Sequence, residues 1–173
     1  RVVTEALARD VMPLPILCYD SPWAGLATQN LAAWTRCVET AVRRYGDAIR
    51  ANPRDRIVAD RWRNVETLRL LNEGRALLRR GRAAEAEASY RGAVEVDAPW
   101  NRDEAWTGLG RALLRQGKPV AAREALERAL GIYPGNRDAQ ALLGEALVAL
   151  GRTAEARGWF ERAWEGGSGP SDG

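Results

Sequence analysis

The sequence of 173 residues contains no histidine, and this absence removes several kinds of chemistry. A Ser/His/Asp triad, a Cys/His dyad, a histidine metal site and a histidine pH switch all need that side chain. The sequence has only two cysteines, Cys18 and Cys37, which is too few for a disulfide framework in a chain of this length. We therefore predict two buried free thiols and assign no catalytic residue, metal site or cofactor.

Lysine and long apolar runs are also scarce. Of the 26 basic residues only Lys118 is a lysine, and 23 acidic residues reduce the net charge to +3. Since the charge is scattered and balanced, we expect no nucleic-acid partner. The longest apolar run, residues 11–19, is far shorter than the ~20 residues of a membrane span. No membrane span is predicted, and no feature of the sequence identifies the cellular compartment.

Residues 66–166 contain an internal repeat. The pair at 109–110, Leu-Gly, recurs at 143–144, an offset of 34 residues. Upstream, the segment 76–79 matches 112–115 at an offset of 36 residues. A period of this length is typical of helical repeat proteins, in which stacked units share one core.

Each unit has the pattern of two amphipathic helices. In the middle unit, apolar side chains recur at helical spacing at Ala105, Trp106, Leu109, Ala112 and Leu113. Gly117 then suits a left-handed helix end, and Pro119 suits the first turn of the next helix. The sequence therefore predicts a helix hairpin in each unit.

These units resemble the tetratricopeptide repeat family. Its signature asks for Trp, Leu, Gly, Tyr, Ala, Phe, Ala and Pro at positions 4, 7, 8, 11, 20, 24, 27 and 32. Counted from Asp103, the middle unit supplies Trp106, Leu109, Gly110, Leu113, Ala122, Leu126, Ala129 and Pro134. The other two units keep the glycine and both alanines. The resemblance implies a mainly α fold, a right-handed α-solenoid of three hairpins at 67–102, 103–136 and 137–166. A linker or leading helix at 52–65 precedes them, and a flexible tail at 167–173 follows.

The resemblance also implies a binding groove lined by the first helix of each unit. Its candidate residues are Leu71, Arg75, Leu78, Arg79, Thr107, Arg111, Leu114, Arg115, Asp138 and Glu145. Four of them are arginines, whose planar fork suits carboxylates, so an acidic, partly apolar protein or peptide is the predicted partner. The alternative is that the arginines pair with acids of the chain itself. The aromatic residues of the last unit further suggest self-association through that unit.

Residues 1–51 have a different pattern, a strand at Leu14–Tyr19 followed by a helix at Leu31–Ile49. The segments Pro15–Tyr19 and Arg44–Asp47 resemble parts of a (β/α)8 glycoside hydrolase, which implies a short α/β, TIM-barrel-like fragment. The Asn-Glu-Pro motif of such enzymes does not follow, so no catalytic role is carried over. The main functional prediction is a non-catalytic protein-interaction scaffold. The alternative is a truncated or degenerate carbohydrate-active enzyme that carries the repeats as an accessory module.

Overall fold

The computed structural model describes residues 31–98 and 100–165, and every regular element within these ranges is an α-helix. The helices are α1 (Leu31–Ala51), α2 (Arg56–Arg79), α3 (Ala83–Glu95), α4 (Arg102–Arg115), α5 (Pro119–Ile132), α6 (Arg137–Ala149) and α7 (Thr153–Glu165). They belong to two compact units, Arg1–Val65 and Glu66–Gly173, and the boundary falls within α2. None of these helices combines the length and the hydropathy that a membrane crossing requires.

In the first unit, α1 and the beginning of α2 pack around a small core. Asp55 starts α2, because its Oδ1 accepts hydrogen bonds from the backbone N–H groups of Ile57 and Val58, each at 3.1 Å. These are donors that the first turn of a helix leaves without a helical partner. The buried core side chains are Ala41, Tyr45, Val58 and Val65. The predicted helix over residues 31–49 is confirmed, and residues 56–65 form the first part of α2.

The predicted α/β fragment over residues 1–51 is not supported. The described part of that range, residues 31–51, is one continuous helix. Its buried side chains Ala41 and Tyr45 pack against α2, so a second helix rather than a sheet covers the apolar side of α1. The predicted strand Leu14–Tyr19 lies outside the described residues.

In the second unit, three helix hairpins follow one another, and each turns at a glycine. Gly81, Gly117 and Gly151 have φ angles of 75°, 71° and 76°, a left-handed conformation that costs glycine little. After Gly117, the backbone N–H of Lys118 donates to the carbonyl of Leu113 at 3.0 Å, the hydrogen bond that closes a Schellman helix end. The predicted roles of Gly117 at a helix end and of Pro119 in the next first turn are both confirmed.

Within a hairpin, a large side chain of the second helix packs against a glycine of the first. A Cβ atom built on Gly110 would lie 2.6 Å from Cγ of Leu126, which is fully buried. Gly144 faces Phe160 in the same way, at 2.6 Å from its Cε1. Successive hairpins then pack α3 on α4 and α5 on α6, and α4 also contacts α6. The Arg75–Glu104 ion pair also joins α2 to α4, so the first helices form one surface, which we call the first-helix face: α2 from Glu66 onward, α4 and α6.

Candidate functional site

Two ion pairs cross the first-helix face from one repeat to the next. Arg75 of α2 pairs with Glu104 of α4. Nη2 of Arg111 in α4 lies 2.9 Å from Oδ2 of Asp138 in α6. Both arginines occupy the ninth position of their repeat, and both acids the second position of the following repeat. The alternative of pairing within the chain therefore holds for Arg75 and Arg111.

The other two predicted arginines are differently placed. Arg79 and Arg115, at the thirteenth position of the first two repeats, are exposed. Within residues 31–98 and 100–165, neither has a carboxylate partner, and both end the first helix of their hairpin. Leu78 and Leu114 precede them and are half-buried against the core. Among the described residues, Arg79 with Leu78 and Arg115 with Leu114 therefore form two equivalent pairs, each of an exposed arginine without a carboxylate partner and a partly exposed leucine.

Two predicted groove residues lie in the interior instead. Leu71 is 0% exposed and belongs to the core. Thr107 is 5% exposed, and its hydroxyl donates to the carbonyl oxygen of Asp103 at 2.7 Å. Asn136 joins them to the third repeat, since its Nδ2 donates to Oδ2 of Asp103 at 2.8 Å and to Oγ1 of Thr107 at 3.2 Å. Because they are buried, Leu71 and Thr107 support the joints between helices and offer no surface to a ligand.

Tyr90 of α3, which is not among the predicted groove residues, packs between α2 and α4. Its ring fills the space left by two glycines: a Cβ on Gly74 would lie 2.7 Å from Cζ, and a Cβ on Gly108 only 2.2 Å from Cε1. Burial raises the pKa of the Tyr90 hydroxyl, and the positive charges of Arg75, Arg111 and Arg79 oppose that rise. In the sequence, the place for the Tyr90 ring is marked by Gly108, since the equivalent position of the next repeat is a leucine.

The third repeat reverses the charge of the face. Its ninth position is Glu145, which is exposed and has no ion pair within the described ranges. Asp138, seven residues earlier on α6, keeps 75% of its side chain exposed although it pairs with Arg111. The first-helix face is therefore basic at α2 and α4 and acidic at α6.

A separate polar cluster ties the first two repeats together on their second-helix side. Glu87 of α3 accepts hydrogen bonds from Arg91 at 2.7 Å, from Gln116 at 2.7 Å and from Lys118 at 3.1 Å. Desolvation by itself would raise the pKa of Glu87, but the hydrogen bonds from Arg91, Gln116 and Lys118 outweigh it and lower the pKa to about 2. These contacts hold α3 to the turn after α4, which is a structural role.

Among the described residues, no three cysteine, aspartate or glutamate side chains come together in a way that could hold a metal ion. The described part of the chain combines stacked hairpins, glycines packed against large side chains and a charged face built by first helices. They define a helical repeat protein of the class that presents an extended surface.

Two family models, each described as a tetratricopeptide repeat, match residues 71–137 and 113–167. Over residues 71–167 the chain belongs to the tetratricopeptide repeat family, and the predicted resemblance is confirmed for that part. The predicted resemblance of residues 1–50 to a glycoside hydrolase finds no support in the comparisons. No curated protein matches the chain significantly.

Solved structures of the same kind share the fold. The first tetratricopeptide repeat domain of the human RPAP3 protein is 26% identical, with a TM-score of 0.55, over 58% of this chain and 78% of that one. The corresponding domain of Arabidopsis FLU is 23% identical, with a TM-score of 0.56, over 60% of this chain and 95% of that one. PilW, a type IV pilus biogenesis factor, is 18% identical, with a TM-score of 0.56, over 82% of this chain and 74% of that one. Domains of this family typically mediate protein–protein interaction.

Proposed function

We propose that the chain is a non-catalytic interaction scaffold whose first-helix face binds an acidic, partly apolar segment of a partner protein. The observation that carries the proposal is the recurrence of Arg79 and Arg115 at equivalent, exposed positions without a carboxylate partner in the described ranges. A guanidinium fork binds a carboxylate through two parallel hydrogen bonds, which favours acidic over merely polar ligands.

The spacing of the two arginines suggests the spacing of the acids. Packed helices lie about 8–10 Å apart, and an extended peptide rises about 3.3 Å per residue. Arg79 and Arg115 lie on first helices of consecutive repeats, so carboxylates about three residues apart would meet both. Leu78 and Leu114, half-buried beside the arginines, offer apolar contact to the residues between those acids.

The ion pairs determine which arginines to substitute in a test of ligand binding. Arg75 and Arg111 already bridge neighbouring repeats, so their reversal would disturb the array as well as any ligand. Arg79 and Arg115 make no such bridge, so a loss of binding on their reversal would report on the ligand. Arg80, an exposed neighbour that borders the cleft between α2 and α3, provides a matched control.

The experiment measures binding of the full chain to immobilised peptides in which two glutamates, three residues apart, flank leucines. The same peptides with glutamine in place of glutamate serve as the neutral set. We expect binding to the acidic set alone, and a loss of about tenfold or more for each of Arg79→Glu and Arg115→Glu, because each reversal costs about 1–2 kcal/mol at a partly exposed charge pair. Arg80→Glu should change affinity by less than about twofold.

Equal binding of acidic and neutral peptides would contradict the proposal, as would full affinity in the Arg79→Glu/Arg115→Glu double variant. Thermal unfolding of each variant, followed by circular dichroism, separates loss of binding from loss of structure. The scaffold function itself would be contradicted by turnover of a substrate at the same face.

A further inference from the structure

The second helix of the last repeat exposes apolar side chains that are covered in the repeat before it. Leu126 and Leu130 of α5 are 0% and 8% exposed, and α5 packs against both α4 and α6. Their equivalents on α7, 34 residues later, are Phe160 and Trp164, which are 40% and 79% exposed. We call this surface, formed by the last hairpin, the end face; it comprises Glu145, Val148, Phe160, Ala163 and Trp164.

The ion pairs between successive repeats show which charge a helix on the end face would need. Between successive repeats, an arginine at the ninth position of one repeat pairs with an acid at the second position of the next, Arg75 with Glu104 and Arg111 with Asp138. On the last first helix the ninth position is Glu145, exposed and without an ion pair in the described ranges. A helix seated there in the same way would place the residue equivalent to Glu104 opposite Glu145. Electrostatic complementarity requires that residue to be a cation.

The packing between the first and second repeats adds a second requirement for such a helix. The Tyr90 ring fits against α4 only because position 108 is a glycine, since a Cβ there would lie 2.2 Å from the ring. Phe160 is the equivalent of Tyr90 in the last repeat and carries a ring of the same width. A helix that covers Phe160 therefore needs a glycine four residues after its cation, as Gly108 follows Glu104.

None of the first helices of the three described repeats meets both requirements. The second position is Leu68 in α2, Glu104 in α4 and Asp138 in α6, none of them basic. A second copy of α4 or α6 would place a carboxylate opposite Glu145, a like-charge contact that disfavours association. The charge pattern thus disfavours docking of a second copy through its α4 or α6.

We infer that the end face binds a helix of another protein, seated where a further first helix would lie. That helix carries an arginine or lysine opposite Glu145 and, four residues later, a glycine opposite Phe160. Its remaining inward side chains are apolar and cover Val148 and Trp164.

A peptide with a sequence from the chain itself can serve as the probe for binding at the end face. A labelled peptide with the sequence of α4, Arg102–Arg115, already has Gly108 in the required place, and Glu104→Arg introduces the cation. The matched control is the same peptide with Asp103→Arg, which has an equal net charge on the neighbouring position. In fluorescence anisotropy with the full chain, we expect the Glu104→Arg peptide to bind at least about tenfold more tightly than the control or the unmodified peptide.

Charge reversal in the protein gives the complementary measurement. Glu145→Arg should invert the preference, so that the unmodified α4 peptide binds more tightly than its Glu104→Arg form. Glu145→Gln should remove the preference, and it keeps the test valid if the reversal disturbs folding. Trp164→Ala should weaken every peptide that binds.

Three outcomes overturn the inference: equal affinity of the two charge-matched peptides, no binding of any peptide, or a preference that Glu145→Arg does not change. If light scattering shows that the chain self-associates and Trp164→Ala abolishes this, a second copy is the occupant and the inference is likewise wrong. The substitutions Arg79→Glu and Arg115→Glu lie on α2 and α4, so they test the first-helix face separately and their result is independent of this one.

Discussion

Substitution of Gly108 by alanine provides a direct test of how the first two repeats join. Gly108 lies inside α4, and its missing side chain admits the ring of Tyr90, which is 3% exposed. A methyl group there would lie 2.2, 2.4 and 2.7 Å from three ring carbons, well inside van der Waals contact. The ring cannot retreat freely, because its other side is in close contact with Gly74 of α2.

Two opposing terms set the expected magnitude. Alanine is favoured over glycine in a helix interior by about 1 kcal/mol. Overpacking a closed core costs about 1–3 kcal/mol, and contacts this short against a ring held on two sides belong at the upper end of that range. We therefore expect Gly108→Ala to destabilise the chain by about 1–2 kcal/mol, a fall in Tm of roughly 2–4 °C for each kcal/mol in a chain of this length.

The assay is urea and thermal unfolding followed by circular dichroism, with Gly158→Ala as the control. Gly158 is also inside a helix, but a Cβ there would meet nothing within 4 Å. The control should gain about 0.5–1 kcal/mol. Tyr90→Leu, which copies Leu126 of the second repeat, should relieve the clash, so the double variant should show a coupling of about 1–2 kcal/mol. If Gly108→Ala is as stable as Gly158→Ala, the packing argument is refuted.

Two further predictions concern polar contacts between repeats. Since the pKa of Glu87 is lowered from 4.5 to about 2, its carboxylate stabilises the fold above about pH 4.5, and this contribution of about 1–2 kcal/mol is lost as the pH falls toward 2. As the pH falls across that range, the urea midpoint should fall less steeply in Glu87→Gln than in the parent chain. Parallel pH profiles of the two midpoints would contradict this. Asn136 caps α6 by accepting from the N–H of Ala139 at 3.0 Å and also bonds the second repeat, so Asn136→Ala should cost about 1–2 kcal/mol in a thermal melt. A variant as stable as the parent would show that these bonds contribute nothing.

The local features of the repeats were predictable because they follow from backbone and periodicity rules. Gly117 ends a helix in the left-handed conformation, and Pro119 lies in a first turn where its missing N–H has no partner to lose. The same rules predicted the helix over residues 31–49. The prediction of an α/β fragment relied on the apolar run Leu14–Tyr19, which lies outside the described residues, and on a resemblance that the comparisons do not support.

The state of each arginine was not predictable from its own repeat. Arg75 and Arg79 lie four residues apart on one helix and look alike in the sequence, yet only Arg75 meets an acid of the following repeat. That acid, Glu104, is 29 residues away, so the pairing depends on how hairpins stack. Alignment of the three repeats would have shown the rule, because arginine at the ninth position precedes an acid at the second position of the next unit in both cases.

The exposure of these ion pairs indicates what they contribute. Arg75 and Glu104 keep 42% and 39% of their side chains exposed, and Arg111 and Asp138 keep 41% and 75%. Pairs so accessible to water contribute about 0–1 kcal/mol each, which is little beside the burial of leucines and alanines between the helices. Their stronger effect is on specificity: a mismatched helix would bring like charges together, whereas a matched one gains a hydrogen-bonded pair. The array therefore depends on apolar packing for its stability. In the binding mode that we propose, the ninth and second positions bias the choice of neighbouring helix, so that Glu145 favours a helix with a cation at that place.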